Sequence, residues 1–174
     1  MKKIFLILPL ILLTIVCLFF LLFILFEKNP NKPQSALLNK NLPSFSSTSL
    51  YNKNKKLNSD DLKEQYTLIN FFASWCTPCR AEHHLFFEIK KEKPDLFILG
   101  LAHKDNPSDS KKYLKEEGNP YSFVGLDQDG KIAFEFGVFG LPETFLIDSK
   151  GKIIFKHTGP LTKQIIDNEI TKLF

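Results

Sequence analysis

Ile4 to Phe26 is a run of 23 residues without a single charge, and no other feature of the chain limits its possible folds as much. Spanning a bilayer takes about 20 predominantly apolar residues, so the run predicts a membrane-crossing helix. A cleavable secretory signal has a shorter apolar stretch, about 7–15 residues, ending in small residues. Here the run passes directly into Phe26-Glu27-Lys28-Asn29-Pro30, which offers no such site. A buried helix of a water-soluble protein would carry a polar stripe, and the run has none. Positive charges stay on the cytoplasmic side, so Met1-Lys2-Lys3 predict a cytoplasmic N-terminus at residues 1–3, a signal anchor at 4–26 and the rest of the chain outside the cytoplasm. Lys28 opposes this orientation weakly.

Beyond the anchor, residues 27–41 contain Pro30, Pro33 and several Asn and Lys with few large apolar groups, the composition of a linker. Residues 42–174 are enough for one core and one domain. The whole chain has 23 Lys+Arg against 19 Asp+Glu. Three of the lysines flank the apolar run, and the remainder are scattered among acids with no basic block. Nucleic acid is therefore not an expected partner.

Within the domain, Thr67-Leu68-Ile69-Asn70-Phe71-Phe72 reads as a buried central strand. Ala73-Ser74-Trp75 turns out of it into a helix from Thr77 to about Lys91, where Ala81, Leu85, Phe86 and Ile89 recur at helical spacing and Lys93-Pro94 ends the pattern. A second apolar run, Leu96–Leu101, precedes a polar helix at Ser108–Glu117 closed by Gly118. A third strand at Tyr121–Leu126 leads to the turn Asp127-Gln128-Asp129-Gly130. Strands at Thr144–Ile147 and Lys152–Thr158 flank the hairpin signature Asp148-Ser149-Lys150-Gly151, and Thr162–Phe174 reads as a closing helix. Parallel units followed by an antiparallel hairpin describe an α/β fold, a mixed sheet with helices on both faces.

The chemistry lies in three cysteines. Cys17, inside the apolar run, reads as a small hydrophobe. Cys76 and Cys79 are the only pair, so this is no multi-disulfide scaffold. A structural zinc site needs four ligands, and no second CxxC exists. His83 and His84, adjacent on one helix, point about 100° apart and cannot both face one metal comfortably, so no metal is expected and all four histidines read as surface or boundary residues. Trp75-Cys76-Thr77-Pro78-Cys79 instead sits between a strand and a helix start. There the helix dipole and the free amides of the first turn stabilise a thiolate on Cys76. Cys79, one turn in, would resolve the mixed disulfide by attacking Cys76. Pro78 is tolerated because its missing N–H had no intrahelical partner. Arg80 reads equally as a solvated helix residue or as a substrate contact.

Three segments carry a resemblance: Ala73-Ser74-Trp75-Cys76-Thr77-Pro78-Cys79-Arg80-Ala81-Glu82-His83, Lys115-Glu116-Glu117-Gly118-Asn119-Pro120-Tyr121, and Gly137-Val138-Phe139-Gly140-Leu141-Pro142-Glu143-Thr144-Phe145-Leu146-Ile147-Asp148. Together they are similar to the DsbE/CcmG family of cytochrome c biogenesis thioredoxins, over about residues 42–174. The resemblance implies a thioredoxin-like fold with an inserted strand and helix, placed within residues 95–126. It implies that Pro142 is a cis-proline beside the CxxC, exposing the backbone of Leu141 to an extended substrate. Trp75 would restrict access to the dithiol, and Glu82 and Glu143 would be acids near it that disfavour the Cys76 thiolate and tilt the protein toward donating electrons. Asn70 stands where ordinary thioredoxins have a buried Asp, so any proton relay has to come from elsewhere. As structural residues, Glu82 would be a first-turn helix acid and Glu143 a strand-edge acid.

The resemblance further implies, with no cofactor, a protein-disulfide reductase on the periplasmic side of a bacterial inner membrane. Its substrate would be apocytochrome c or a cytochrome c maturation thiol protein, and its electrons would come from a DsbD/CcdA-like membrane donor. Alternatives are a tethered reductase of another extracytoplasmic substrate, a disulfide-forming oxidase, and a metal-binding chaperone; a peroxidase lacks an evident peroxide-activating arrangement.

Overall fold

A computed structural model describes residues 2–26 and 37–173. They fall into two units, 1–33 and 34–174. In the first, helix α1 runs Lys2–Phe26, and its large apolar side chains from Leu10 to Phe23 are exposed. Among the described residues no helix is long and apolar enough to cross a membrane. Most of the expected linker, 27–36, lies outside the described residues, as do Met1 and Phe174.

The second unit is built around β3 (Thr67–Phe72), all six of whose residues are buried. It is buried on both faces because it pairs parallel with β4 (Phe97–His103) and antiparallel with β6 (Glu143–Ile147). Strand β5 (Phe123–Asp127) extends the sheet parallel to β4, and β7 (Ile153–Thr158) closes the other edge antiparallel to β6, giving the order β5-β4-β3-β6-β7. Alternation along β3 feeds two cores. Leu68 and Phe72 join Phe86, Ile89, Tyr113 and Ile166, from α2 (Thr77–Glu92), α3 (Pro107–Glu116) and the C-terminal segment. Ile69 and Phe71 face Phe45, Leu57, Leu62, Ile132 and Phe136. That second face is covered by a separate hairpin of β1 (Ser46–Thr48) and β2 (Lys56–Asn58), a 3-10 turn at Ser59–Leu62 and α4 (Lys131–Glu135).

The sheet, the two long helices and the final hairpin match the sequence reading, while the differences are local. The third strand starts at Phe123 rather than Tyr121, because Tyr121 turns its ring into the first core instead of continuing the ladder. The closing helix is shorter than Thr162–Phe174: α5 (Lys163–Ile165) passes into a π-helical turn at Ile166–Ile170, and both Ile166 and Ile170 reach the core. Part of the stretch read as linker belongs to the domain. Asn39 N–H donates to Ile153 (2.7 Å) and Ile153 N–H to Lys40 (2.9 Å), and Asn41 bridges Lys152.

Candidate active site

Helix α2 starts where β3 ends, and its first residues are the CxxC. Cys76 is the N-cap, its Sγ accepting from Cys79 N–H at 3.2 Å. The two cysteines are joined as a disulfide with Cα atoms 5.3 Å apart, and both are 3% exposed. Pro78 lies in the first turn, where no backbone donor is lost. The buried stripe of α2 runs Cys79, Glu82, His83, Phe86 and Ile89, the spacing of one helical face. Side chains three apart are neighbours, with Cβ atoms about 5–6 Å from each other, so Glu82 lies directly beneath Cys79.

Glu82 is not a first-turn acid. It sits in the second turn at 1% exposure, where burial pushes its carboxyl up from 4.5 to about 7 although two hydrogen bonds pull the other way. Those bonds come from Asn70 Nδ2 to Oε1 (2.9 Å) and Leu161 N–H to Oε2 (2.5 Å). Asn70 also donates to Thr144 Oγ1 (3.1 Å) and accepts from the Tyr121 hydroxyl (2.9 Å). The Gly-Asn-Pro-Tyr stretch thereby has a physical role. Tyr121 orients Asn70, and the Gly118 carbonyl lies 3.0 Å from His83 Nε2. His83 is accordingly buried, not a surface residue, and desolvation pushes its pKa down.

Glu143 serves a different purpose from Glu82. It pairs in register with Phe71, whereas Thr144 pairs with Asn70, so the two acids lie on opposite faces of the sheet. Glu143 is the first residue of β6 and is fully buried, because β6 is an inner strand between β3 and β7. Oε1 accepts from Phe139 N–H (2.9 Å), and Oε2 forms an ion pair with Lys156 Nζ (3.0 Å), which also donates to the Gly137 carbonyl (2.9 Å). The pair ties down the loop 137–141 that leads to Pro142. The Leu141–Pro142 bond is cis, and Leu141 packs against both cores.

Trp75 is 63% exposed, and with Leu141 it lines a groove of about 600 Å³. Phe134 (81% exposed) and Phe139 (86% exposed) line it too, two aromatics that sequence periodicity assigned no role. Arg80, its side chain 41% exposed, donates to the Ser74 carbonyl and to Glu117. Phe71, Phe72, Phe86 and Phe145 are core. Asp105, which the sequence reading did not single out, reaches Ser74 from the β4–α3 loop.

A disulfide at a helix start, poised above a carboxyl that titrates near neutrality, can take two electrons from a dithiol and, once reduced, pass them to another disulfide. That makes the domain a thiol:disulfide oxidoreductase of the thioredoxin fold. The Redoxin family matches residues 37–172. The chain is 39% identical over 164 residues to the probable thiol:disulfide interchange protein DsbE-2 of Pasteurella multocida, covering 94% of this chain and 85% of that protein. It is 36% identical over 147 residues to the thiol:disulfide interchange protein DsbE of Escherichia coli, covering 84% and 78%. Among solved structures, a thioredoxin-family thiol:disulfide interchange protein of Chlorobium tepidum superposes with a TM-score of 0.64 at 27% identity, covering 76% of this chain and 94% of that one. The chain belongs to the Redoxin family and, within it, to the DsbE family of thiol:disulfide interchange proteins.

Proposed function

We propose that the protein is a membrane-tethered reductase that keeps the haem-binding cysteines of apocytochrome c reduced. The observation that carries this reading is Glu82 beneath the dithiol: a carboxylate there disfavours a thiolate above it and so destabilises the reduced form, which favours giving electrons away. The cysteine thiolate at 76 attacks one sulfur of the substrate disulfide, forming a mixed disulfide and releasing the other sulfur as a thiol. Cys79 then attacks Cys76, the second substrate thiol leaves, and the Cys76–Cys79 disulfide forms with two electrons transferred. Trp75 and Leu141 border the path of the incoming chain. The substrate assignment is supported by the resemblance to cytochrome c biogenesis thioredoxins, which also supports a DsbD/CcdA-like membrane protein as the electron donor.

Helix α1, uncharged throughout its described side chains, is in this reading a single-pass anchor with Lys2 and Lys3 inside and the domain on the periplasmic side of a bacterial inner membrane. Carbonate washing should leave the chain in the membrane fraction, and protease added to spheroplasts should degrade the domain. Release by carbonate, or protection from protease, removes the tethered arrangement.

The substrate is tested with the reduced full chain and apocytochrome c whose CxxCH cysteines are disulfide-bonded. Reduction faster than that of glutathione disulfide, and a mixed disulfide trapped by Cys79→Ser, are expected. Equal rates for the two substrates and no trapped species would leave only general disulfide exchange.

A further inference from the structure

The two residues that lead into Cys76 receive little from packing. Ala73 and Cys76 are buried, but Ser74 is half-buried and Trp75 exposed, so apolar burial does not hold the turn. Polar contacts hold it instead, on both sides of one residue. Asp105, 7% exposed, accepts at Oδ2 from Ser74 N–H (2.7 Å) and Ser110 Oγ (2.6 Å), and at Oδ1 from Ser74 Oγ (2.8 Å) and Asn106 N–H (3.0 Å). Four bonds fill the acceptor sites of a carboxylate, and bonds to an ionised group are the short, strong kind. From the other side the Ser74 carbonyl accepts from Arg80 Nε (3.2 Å) and Nη2 (3.1 Å). Arg80 is itself fixed by Glu117 at 3.2 Å and by the Tyr113 ring, 4.6 Å beneath its guanidinium.

We infer that Asp105 is a positioning residue for dithiol–disulfide exchange: through Ser74 it fixes the backbone that presents Cys76 to an incoming disulfide. Exchange needs the attacking sulfur in line with the bond it breaks, and a displacement of about 1 Å can cost on the order of a hundredfold in rate. The β4–α3 loop is shaped for this contact. The chain adopts a positive φ of 44° at Lys104, a region non-glycine residues seldom occupy and one that persists where surrounding contacts over-determine it. Lys104 N–H is held by the Asp127 carbonyl at 3.0 Å, and the next residue is Asp105.

Trp75 is the only tryptophan and adjoins Ser74, so its fluorescence reads the turn directly. The test compares the full chain in detergent with Asp105→Asn, which keeps the shape but turns one acceptor into a donor. Three quantities are measured: the second-order rate of glutathione disulfide reduction, Trp75 anisotropy and the melting temperature. Glutathione disulfide is small, so the result does not depend on which protein is the natural substrate. The rate is expected to fall about tenfold and the anisotropy to drop, well below the melting temperature. A lower melting temperature with rate and anisotropy unchanged would make Asp105 merely structural and overturn the inference. Should Asp105→Asn not fold, Ser74→Ala and Ser110→Ala, each removing one of the four bonds, take its place. A fall of about threefold with lower anisotropy then supports the assignment, and unchanged values in both variants overturn it.

Discussion

Glu82 contributes to stability in the direction opposite to that of most carboxylates. Its folded pKa, about 7, lies above the ordinary 4.5, so the protonated form suits the fold. Its stabilisation is complete below pH 4.5, falls as the pH rises and has gone once the pH exceeds about 7. At about 1.4 kcal/mol per pKa unit, the loss across that window is on the order of 3 kcal/mol. Glu82→Gln should abolish it: urea unfolding of the oxidised protein at pH 5 and pH 8 is expected to differ by this much more in the parent than in the variant. The same substitution removes a charge near the thiolate and should make the reduction potential less negative by about 30 mV for each unit that a thiol pKa falls. A potential that stays in place, or becomes more negative, removes Glu82 from the redox account. At this scale the cysteines were legible from the residues themselves, a CxxC between a strand and a helix start, whereas Glu82 entered only through the family resemblance and, from the residues alone, read as a first-turn acid. The pairings of Asn70, Tyr121 and Asp105 were not legible. Each is a polar residue whose partner lies 51, 51 and 31 positions away, and no local pattern announces such a pairing.

Among the elements, β3, α2 and the β6–β7 hairpin were readable because each has a complete local signal: a buried apolar run, a buried stripe, a turn sequence. Strands β1 and β2 have three residues each, too few to show a period of two, and α4 has five, too few to stand without the domain around it. What α4 and the following loop gain from tertiary structure is concrete. The Asp127 carboxylate accepts from Ile132 N–H (2.9 Å) and Ala133 N–H (3.1 Å) at the start of α4, Phe136 packs between Phe71 and Phe145, and Glu143 with Lys156 anchors the loop. The Lys156 side chain is 8% exposed. Lys156→Met would leave Glu143 buried without its cation, and removing one partner of a buried pair costs about 3–5 kcal/mol. Urea unfolding at pH 7 should show that loss, and Glu143→Gln in the same chain should recover much of it, because the uncompensated charge is then gone. A single-variant cost under about 1 kcal/mol would mean that solvent reaches the pair, as at exposed ion pairs.

For the molecule as a whole, the boundary between the N-terminal helix and the domain decides what a fragment of the domain must contain. Composition alone puts the domain's start near Leu42, because Leu37 to Asn41 contains nothing that looks like an element. The backbone says otherwise, since Asn39 and Lys40 bracket Ile153 and Leu42 N–H donates to Gly151 at 2.8 Å, while Leu37 packs on the second core. These residues close the open edge of β7 near its start, and an uncovered strand edge invites pairing with other chains. A fragment beginning at Leu37 should therefore keep the reduction potential of the full chain, because no residue of the dithiol, Glu82 or Ser74–Asp105 contacts lies before Phe45. One beginning at Leu42 loses the two bonds to Ile153, each worth about 0.5–1.5 kcal/mol, and the partial burial of Leu37. Together they amount to about 2–4 kcal/mol, a large share of the roughly 5–15 kcal/mol that holds an ordinary domain folded. Unfolding in urea should separate the fragments by that margin while their potentials coincide. Equal stabilities would return residues 37–41 to the linker, and unequal potentials would show that the edge of the sheet reaches the dithiol.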